Sequence, residues 1–212
     1  MATEPEDVAD QLRRAAQSDR ASLGMLLARH RERLRRLVAL RLDPRVSARL
    51  DASDVLQDVC LEATNRIDEY LRDPSMPFYL WLRLLTGQKV SYLHRLHLGA
   101  EMRAVGREVS IDAAPMPEAS SAALAAQLLG HDTQPSEAAV RAERKRLLQE
   151  ALSGMNPLDR EILALRHFEQ LSNAEAAQVL EVKESAASKR YVRAVKKLKE
   201  IIEALPGGLG GM

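Results

Sequence analysis

The chain has 212 residues, of which 46% are hydrophobic and 29% charged, a balance that is typical of a globular protein and excludes a disordered one. Aromatic residues make up only 3%, so aliphatic side chains must form the core, and this composition favours packed helices over a sheet. The formal net charge of +1 does not identify a partner, and the one cysteine excludes an internal disulfide and a thiolate-ligated metal site.

The sequence also bears on location. No apolar stretch approaches the roughly 20 residues that are needed to span a bilayer. The first ten residues (MATEPEDVAD) are acidic and lack the basic start and apolar stretch of a signal peptide. Since the single cysteine also suits a reducing compartment, we expect a cytoplasmic protein without a membrane span.

Apolar side chains recur at helical spacing in three stretches of the first half of the chain. These predict one helix over residues 21–40, a second from residue 52 to about 70 with Asp51 as its N-cap, and a third from residue 78 to about 98. Two prolines, Pro74 and Pro77, predict a loop between the second and third helices, because each restricts the backbone of the residue before it. We therefore predict a helical domain over residues 10–98.

The composition changes between residues 99 and 135, where Ala, Ser, Pro, Gly and Met are frequent and a steady period is missing. This segment is predicted to be a flexible linker with a short helix at 120–129. Helical spacing returns at Ser136, continues to Leu152, and resumes at Arg160 after a break. The sequence thus predicts an all-α protein whose second helical domain covers residues 136–204.

Charge is distributed unevenly along the chain although its total is balanced. Residues 29–49 contain eight arginines and two acidic residues, a net charge of +6. Residues 51–73 contain seven acidic residues and two arginines, a net charge of −5, and residues 183–199 contain seven basic residues and one acidic residue, again +6. Such runs are often solvated helix faces, so their context must decide whether they bind a partner.

The last basic segment lies in a predicted helix-turn-helix. Residues 171–180 predict a short helix with Ser172 or Asn173 as its cap, and residues 181–183 fit the turn before a second helix that extends to about Glu200. Such a second helix suits the major groove, because its first side chains reach base edges and its basic side chains meet phosphates. A purely structural helical hairpin is the alternative.

Four of the seven aromatic residues lie on the predicted helix that begins at Phe78, among several basic side chains. Core packing explains Phe78. Aromatic rings beside cations also suit the unstacked bases of single-stranded nucleic acid, so the sequence leaves both interpretations open for this cluster.

Four segments resemble the extracytoplasmic-function (ECF) class of bacterial RNA polymerase sigma factors, within the sigma-70 family. Residues 51–63 (DASDVLQDVCLEA) are similar to the signature of region 2.2, and residues 78–85 (FYLWLRLL) to region 2.3. Residues 156–166 (NPLDREILALR) resemble the opening of region 4, and residues 171–194 resemble region 4.2. The segments follow the order of the family, and the expected linker lies between them.

The resemblance implies a protein that binds core RNA polymerase and directs promoter-specific initiation by recognising −10 and −35 elements and opening the DNA. It implies neither an enzyme nor a cofactor or metal site. Partners would be the polymerase, through its β′ coiled coil and β flap, and promoter DNA, and the resemblance leaves room for an anti-sigma factor.

The residues that match the family's motifs have implied roles. Those that would bind the β′ coiled coil are Asp54, Gln57 and Asp58. Those that would contact the −10 element, as a flipped base or a melted strand, are Arg72, Ser75, Met76, Trp81, Arg83, Gln88, Lys89, Tyr92 and Arg95. Those that would contact the −35 duplex are Lys183, Ser185, Ser188, Lys189, Arg190 and Arg193.

Two departures from the family's pattern leave the promoter sequence open. Gln88 stands where asparagine is common, and residues 184–188 (ESAAS) replace a Gly-Thr-Val type of helix start. One alternative function is a helix-turn-helix regulator that binds duplex DNA without sigma activity, but the sequence lacks the strand pattern of an α/β receiver domain. A second is an enzyme, for which His94 and His97 are the best ligand pair and no third ligand completes a site.

Overall fold

The computed structural model describes residues 6–17, 19–102, 116–129 and 138–205. Within these ranges all regular structure is helical, which confirms the predicted all-α class. Most of the predicted linker and the predicted helix start at Ser136 lie outside the described residues. The chain divides into two compact units, Met1–Pro117 and Glu118–Met212. Among the described helices, none combines the length and apolar character that crossing a bilayer requires.

The described part of the first unit contains five α-helices. They are α1 (Glu6–Ala15), α2 (Arg20–Arg41), α3 (Pro44–Ser47), α4 (Ala52–Arg72) and α5 (Phe78–Met102). The three long helices lie where the sequence predicts them. The helix α3 was not predicted, because one turn of four residues is too short to show an apolar period.

Aspartate side chains set the starts of three of these helices. The Asp19, Asp43 and Asp51 carboxylates each accept a hydrogen bond from a backbone N–H in the first turn of α2, α3 and α4. Since Asp51 accepts from the Ser53 N–H at 2.6 Å, its pKa lies below the ordinary value. Each cap is worth about 1 kcal/mol of helix stability.

The core of the first unit is mainly aliphatic, as the composition predicts, with one cluster of buried aromatic rings. Helices α2, α4 and α5 pack against one another, α1 covers α2, and α3 lies against α5. Burial of one leucine or phenylalanine side chain contributes about 1.5–3 kcal/mol. The largest fully buried side chains of this unit are Leu26, Leu34, Leu37, Leu40, Leu56, Phe78, Leu82 and Leu85.

The described part of the second unit consists of α6 (Ser121–Leu128), α7 (Ala138–Ser153), α8 (Pro157–Leu163), a π-helical turn (Ala164–Phe168), α9 (Asn173–Val179) and α10 (Glu184–Glu203). Helix α6 lies in the segment predicted as linker, where a short helix was expected, and it packs against α7. Helix α10 packs against α7, α8 and α9.

One predicted helix start in this unit is wrong. Helix α8 begins at Pro157 and not at Arg160. Proline suits the first position of a helix because an N–H at that position would find no acceptor within the helix. The Asn156 side chain caps the helix by accepting a hydrogen bond from the Leu158 N–H at 3.0 Å.

Candidate polymerase-binding and DNA-binding surfaces

The three residues predicted to bind polymerase share the exposed face of α4. Gln57 and Asp58 follow Asp54 by three and four residues, which places both next to it on the helix, and all three are exposed. The opposite face, which includes Val55 and Val59, is buried. The structure therefore presents this predicted set as one acidic surface.

The same face carries an apolar side chain that the sequence argument missed. Leu61 follows Asp58 by three residues and Asp54 by seven, so it extends the same row of the helix. Its side chain is exposed, unlike most leucines of the unit. The helical spacing from Asp54 is the signal that could have identified it.

One member of this acidic surface is bonded to the neighbouring helix. The Lys89 ammonium on α5 lies 2.7 Å from a carboxylate oxygen of Asp58. The same ammonium lies 5.5 Å from the centre of the Tyr92 ring. The ion pair joins a residue predicted to bind polymerase to one predicted to bind DNA. Because the Asp58 side chain is 57% exposed, the pair is worth at most about 1 kcal/mol.

The backbone of the loop between α4 and α5 is held at Met76 by a hydrogen bond from the buried Tyr70. The Tyr70 hydroxyl donates a hydrogen bond to the Met76 carbonyl oxygen at 3.0 Å. The buried Tyr70 ring stacks on Trp81, with ring centres 4.8 Å apart. Ser75 and Arg72 remain exposed. The loop thus presents polar side chains from a backbone held at Met76.

Two residues predicted at the −10 element are not on the surface. Trp81 and Arg83 are each only 7% exposed, and the Trp81 ring also contacts Phe78 at 5.6 Å between ring centres. A base cannot rest on either side chain in this conformation. Direct contact of these two residues with DNA stays a prediction, while the observed contact of Trp81 is with Tyr70, the residue that holds the loop.

The remaining residues predicted for the −10 element lie further along α5. Tyr92 is exposed, and Gln88, Lys89 and Arg95 are partly exposed. The structure therefore combines one exposed ring with several polar and basic side chains near the α4–α5 ion pair.

The histidine pair on α5 has a structural contact. The Asp43 N–H donates to the His94 Nε2 atom at 2.9 Å, which joins the start of α3 to α5 and requires Nε2 to be unprotonated. Burial lowers the pKa of His94 below its ordinary value. Across the residues described here, no cluster of three potential metal ligands occurs.

Helices α9 and α10 form the predicted helix-turn-helix. The Ser172 hydroxyl accepts from the Glu175 N–H at 3.1 Å, and the Glu175 carboxylate accepts from the Ser172 N–H at 2.6 Å, which completes a capping box at the start of α9. In the turn, Glu181 has a φ of 54°, a left-handed conformation that glycine adopts more readily. The Asn173 side chain donates to the Glu184 carbonyl oxygen at 2.9 Å and so joins the two helices.

The exposed face of α10 contains most of the side chains predicted at the −35 element. Ser188, Lys189 and Arg193 line a shallow groove together with Val192, an exposed apolar residue that was not predicted. Lys183 and Ser185, near the start of the helix, are exposed as well. Small polar and basic side chains therefore share one surface, and such side chains are suited to contact base edges and phosphates.

Arg190 differs from the other five residues of this set. Its guanidinium donates to a carboxylate oxygen of Asp159 on α8 at 2.8 Å, and each of the two side chains is 27% exposed. The next residue, Tyr191, has its ring 5.4 Å from the guanidinium carbon of Arg166 in the π-helical turn. These two positions face the supporting helices.

Comparison with known proteins identifies relatives of both units. Residues 145–198 match the family described as sigma-70, region 4. The ECF RNA polymerase sigma factor SigD of Mycobacterium tuberculosis (strain ATCC 25618 / H37Rv) is 32% identical over 155 residues, which are 73% of this chain and 65% of SigD. The chain thus spans just under two thirds of that relative.

Two further proteins match nearly the whole chain. The RNA polymerase sigma factor NccH of Alcaligenes xylosoxydans xylosoxydans is 27% identical over 192 residues, which cover 91% of this chain and 92% of NccH. The solved structure of CnrH in complex with the cytosolic domain of CnrY has a TM-score of 0.56 and 23% identity, and the match covers 95% of this chain and 100% of that one. This likeness shows a shared fold.

Proposed function

Because the chain belongs to the ECF class of the sigma-70 family, we propose that it is a sigma factor that binds core RNA polymerase and directs promoter-specific initiation. The observation that carries the proposal is that one chain contains both an exposed acidic helix face and a helix-turn-helix with an exposed basic face. The protein acts by binding and is not an enzyme. Its location is the cytoplasm, where the polymerase acts.

The proposed polymerase contact is the acidic surface of α4. Asp54, Gln57 and Asp58 supply charge and hydrogen-bond acceptors for a basic partner surface, for which the β′ coiled coil is the candidate. Leu61 adds an apolar contact at the end of the same row. In this proposal the second unit meets the β flap.

The proposed −10 surface is the α4–α5 loop with the exposed side of α5. A base extruded from the duplex would be held by the loop residues Arg72, Ser75 and Met76, which offsets part of the few kcal/mol that extrusion costs. The melted strand would then lie along Gln88, Lys89, Tyr92 and Arg95, with a base on the Tyr92 ring. Trp81 supports the loop through Tyr70, and a DNA contact of Trp81 or Arg83 would require either side chain to leave the interior.

The proposed −35 surface is the exposed face of α10. Ser185 and Ser188 can reach base edges in the major groove, while Lys183, Lys189 and Arg193 neutralise phosphates. The proposed domain bounds are residues 10–98 for region 2, 99–135 for the linker and 136–204 for region 4.

A regulatory partner is also part of the proposal. CnrH, which shares the fold, is solved in complex with the cytosolic domain of CnrY. An anti-sigma factor, for which the family resemblance leaves room, is the proposed regulatory partner of this chain.

Run-off transcription with core polymerase, with and without the full chain, tests the proposed function. A sigma factor adds transcripts with defined start sites that core polymerase alone does not make. If the chain binds duplex DNA but adds no such transcripts, the helix-turn-helix regulator is the better assignment.

A further inference from the structure

The ion pair between α8 and α10 separates Arg190 from the other basic residues of the helix. Its guanidinium lies 2.8 Å from the Asp159 carboxylate and is half-buried, whereas Lys189 and Arg193 beside it are exposed. A guanidinium bonded to a carboxylate cannot also bind a phosphate with the same N–H groups. In the free protein, Arg190 uses one of its five N–H groups to bond the supporting helix α8.

The ion pair lies next to the exposed side chains of α10 that are proposed to contact DNA. Asp159 lies in the first turn of α8, which the Asn156 side chain caps, so its carboxylate belongs to a well-defined helix start. Arg190 and Tyr191 are both partly exposed, and the Tyr191 ring lies 5.4 Å from the guanidinium carbon of Arg166 in the π-helical turn. Two consecutive residues of α10 thus contact the elements that support the helix.

We propose that Asp159 and Arg190 are positioning residues for DNA recognition. Their ion pair fixes the rotation of α10, and this rotation determines the direction in which Ser188, Lys189 and Arg193 reach a DNA groove. The inference rests on the proposed function and gives Arg190 an indirect role instead of a direct contact with the −35 element.

The substitution Asp159→Asn distinguishes the two roles, because they predict changes of opposite sign. Asparagine keeps the size of the side chain and removes its charge. If Arg190 binds a phosphate, its release from Asp159 and the loss of a nearby negative charge both strengthen DNA binding. If the pair positions α10, the same substitution loosens the helix and weakens binding.

The probe is the duplex that the wild-type full-length chain enriches most strongly from a randomised library. We expect Asp159→Asn and Arg190→Ala each to raise the Kd about fivefold, and the double variant Asp159→Arg with Arg190→Asp to return it to within about twofold of wild type. Because a rotated α10 also loses phosphate contacts of Lys189 and Arg193, the dependence of log Kd on log salt concentration becomes weaker in Asp159→Asn as well as in Arg190→Ala, and the double variant restores it. The control substitutions Lys189→Ala and Arg193→Ala remove phosphate contacts and lower that slope by about 0.9 each.

Tighter or unchanged binding by Asp159→Asn overturns the inference, and so does a double variant that binds DNA no more tightly than Arg190→Ala. Circular dichroism of each variant shows whether the helices are intact, and loss of helicity in Arg190→Ala leaves the isosteric Asp159→Asn as the deciding variant. If the wild-type chain enriches no duplex, the inference fails together with the proposed −35 surface. If only the variants contradict it, the proposed function stands.

Discussion

Each unit contains an ion pair between two of its helices, and the two pairs differ in exposure. In the first unit, Lys89 of α5 meets Asp58 of α4; the Lys89 side chain is 21% exposed and the Asp58 side chain 57%. In the second unit, Arg190 of α10 meets Asp159 of α8, and both side chains are 27% exposed. The Asp58 carboxylate stays solvated when the first pair opens, so this pair contributes little stability and can exchange its partner. In the second pair both side chains are half-buried, so a freed charge would stay poorly solvated and the pair resists exchange.

We assign different roles to these two ion pairs. The Lys89–Asp58 pair joins two residues of proposed binding surfaces, so binding of polymerase to Asp58 would release Lys89 for DNA. The Arg190–Asp159 pair joins α10, the proposed DNA-contacting helix, to α8, so its proposed role requires the ion pair to stay formed.

The largest effect concerns the support beneath the −10 loop. Trp81→Ala removes a buried ring that stacks on Tyr70, so we expect the free energy of unfolding of the first unit to fall by about 3–5 kcal/mol. The matched control Tyr92→Ala removes an exposed ring and is expected to cost less than about 1 kcal/mol. Urea denaturation followed by far-UV circular dichroism measures both. Equal losses would mean that Trp81 is not part of the support.

The second prediction concerns the exposed ion pair. Asp54→Asn and Asp58→Asn each remove one charge from the acidic surface, so we expect each to weaken binding to core polymerase by about threefold to fivefold. Only Asp58→Asn also releases Lys89, so only this variant should change strand opening once the holoenzyme is saturated. Pull-down of core polymerase and permanganate reactivity of promoter thymines measure the two effects. Identical opening by both variants would argue against a link between the two surfaces.

The third prediction concerns pH and applies to the first unit. Burial lowers the pKa of His94, and its unprotonated Nε2 accepts a hydrogen bond from the Asp43 N–H. The unfolded chain therefore binds a proton more readily than the folded one, so stability falls as pH drops through about 6.5, the unfolded pKa. Trp81, the one tryptophan in the sequence, reports unfolding of this unit by fluorescence. His94→Gln should flatten the decline between about pH 7.5 and pH 5; a decline of equal steepness would contradict this assignment.

The smallest effect concerns the turn of the second unit. Glu181 has a left-handed backbone conformation, which costs an L-residue about 1–2 kcal/mol relative to glycine. Glycine removes this cost, but it also makes the unfolded chain more flexible, which offsets part of the gain in stability. We therefore expect Glu181→Gly to stabilise the second unit by about 0.5 kcal/mol. Differential scanning calorimetry, with the exposed helical control Glu200→Gly expected to destabilise, checks the sign. A lower Tm for Glu181→Gly would show that strain at this turn is negligible.

The sequence predicts what depends on local spacing and misses what depends on contacts between helices. The long helices and the helix-turn-helix follow from apolar periods and from capping residues such as Asp51 and Ser172. The burial of Trp81 and the pairing of Arg190 with Asp159 do not follow, because both depend on how a helix is rotated against its neighbours. Asp159 and Arg190 are 31 residues apart, and no helical period relates positions on different helices.

The exposed polymerase-binding residues proposed on α4 could be predicted, because their placement depends on one helix alone. Asp54, Gln57 and Asp58 are adjacent on one helix turn, so a single amphipathic pattern decides that they share a face. The π-helical turn at Ala164–Phe168 could not be predicted, because its residues follow α8 without a break in the apolar pattern.

Permanganate reactivity of promoter thymines tests the central claim, that the first unit opens DNA for the polymerase, most directly. It is measured on a promoter mapped by run-off transcription, with holoenzyme that contains the wild-type chain or Tyr92→Ala. We expect reactive thymines at the −10 element with the wild type, and the same promoter occupancy but about tenfold less reactivity with Tyr92→Ala, since stacking of one base is worth about 1–3 kcal/mol. Thymines that stay unreactive with wild-type holoenzyme, or equal reactivity with Tyr92→Ala, would contradict the account.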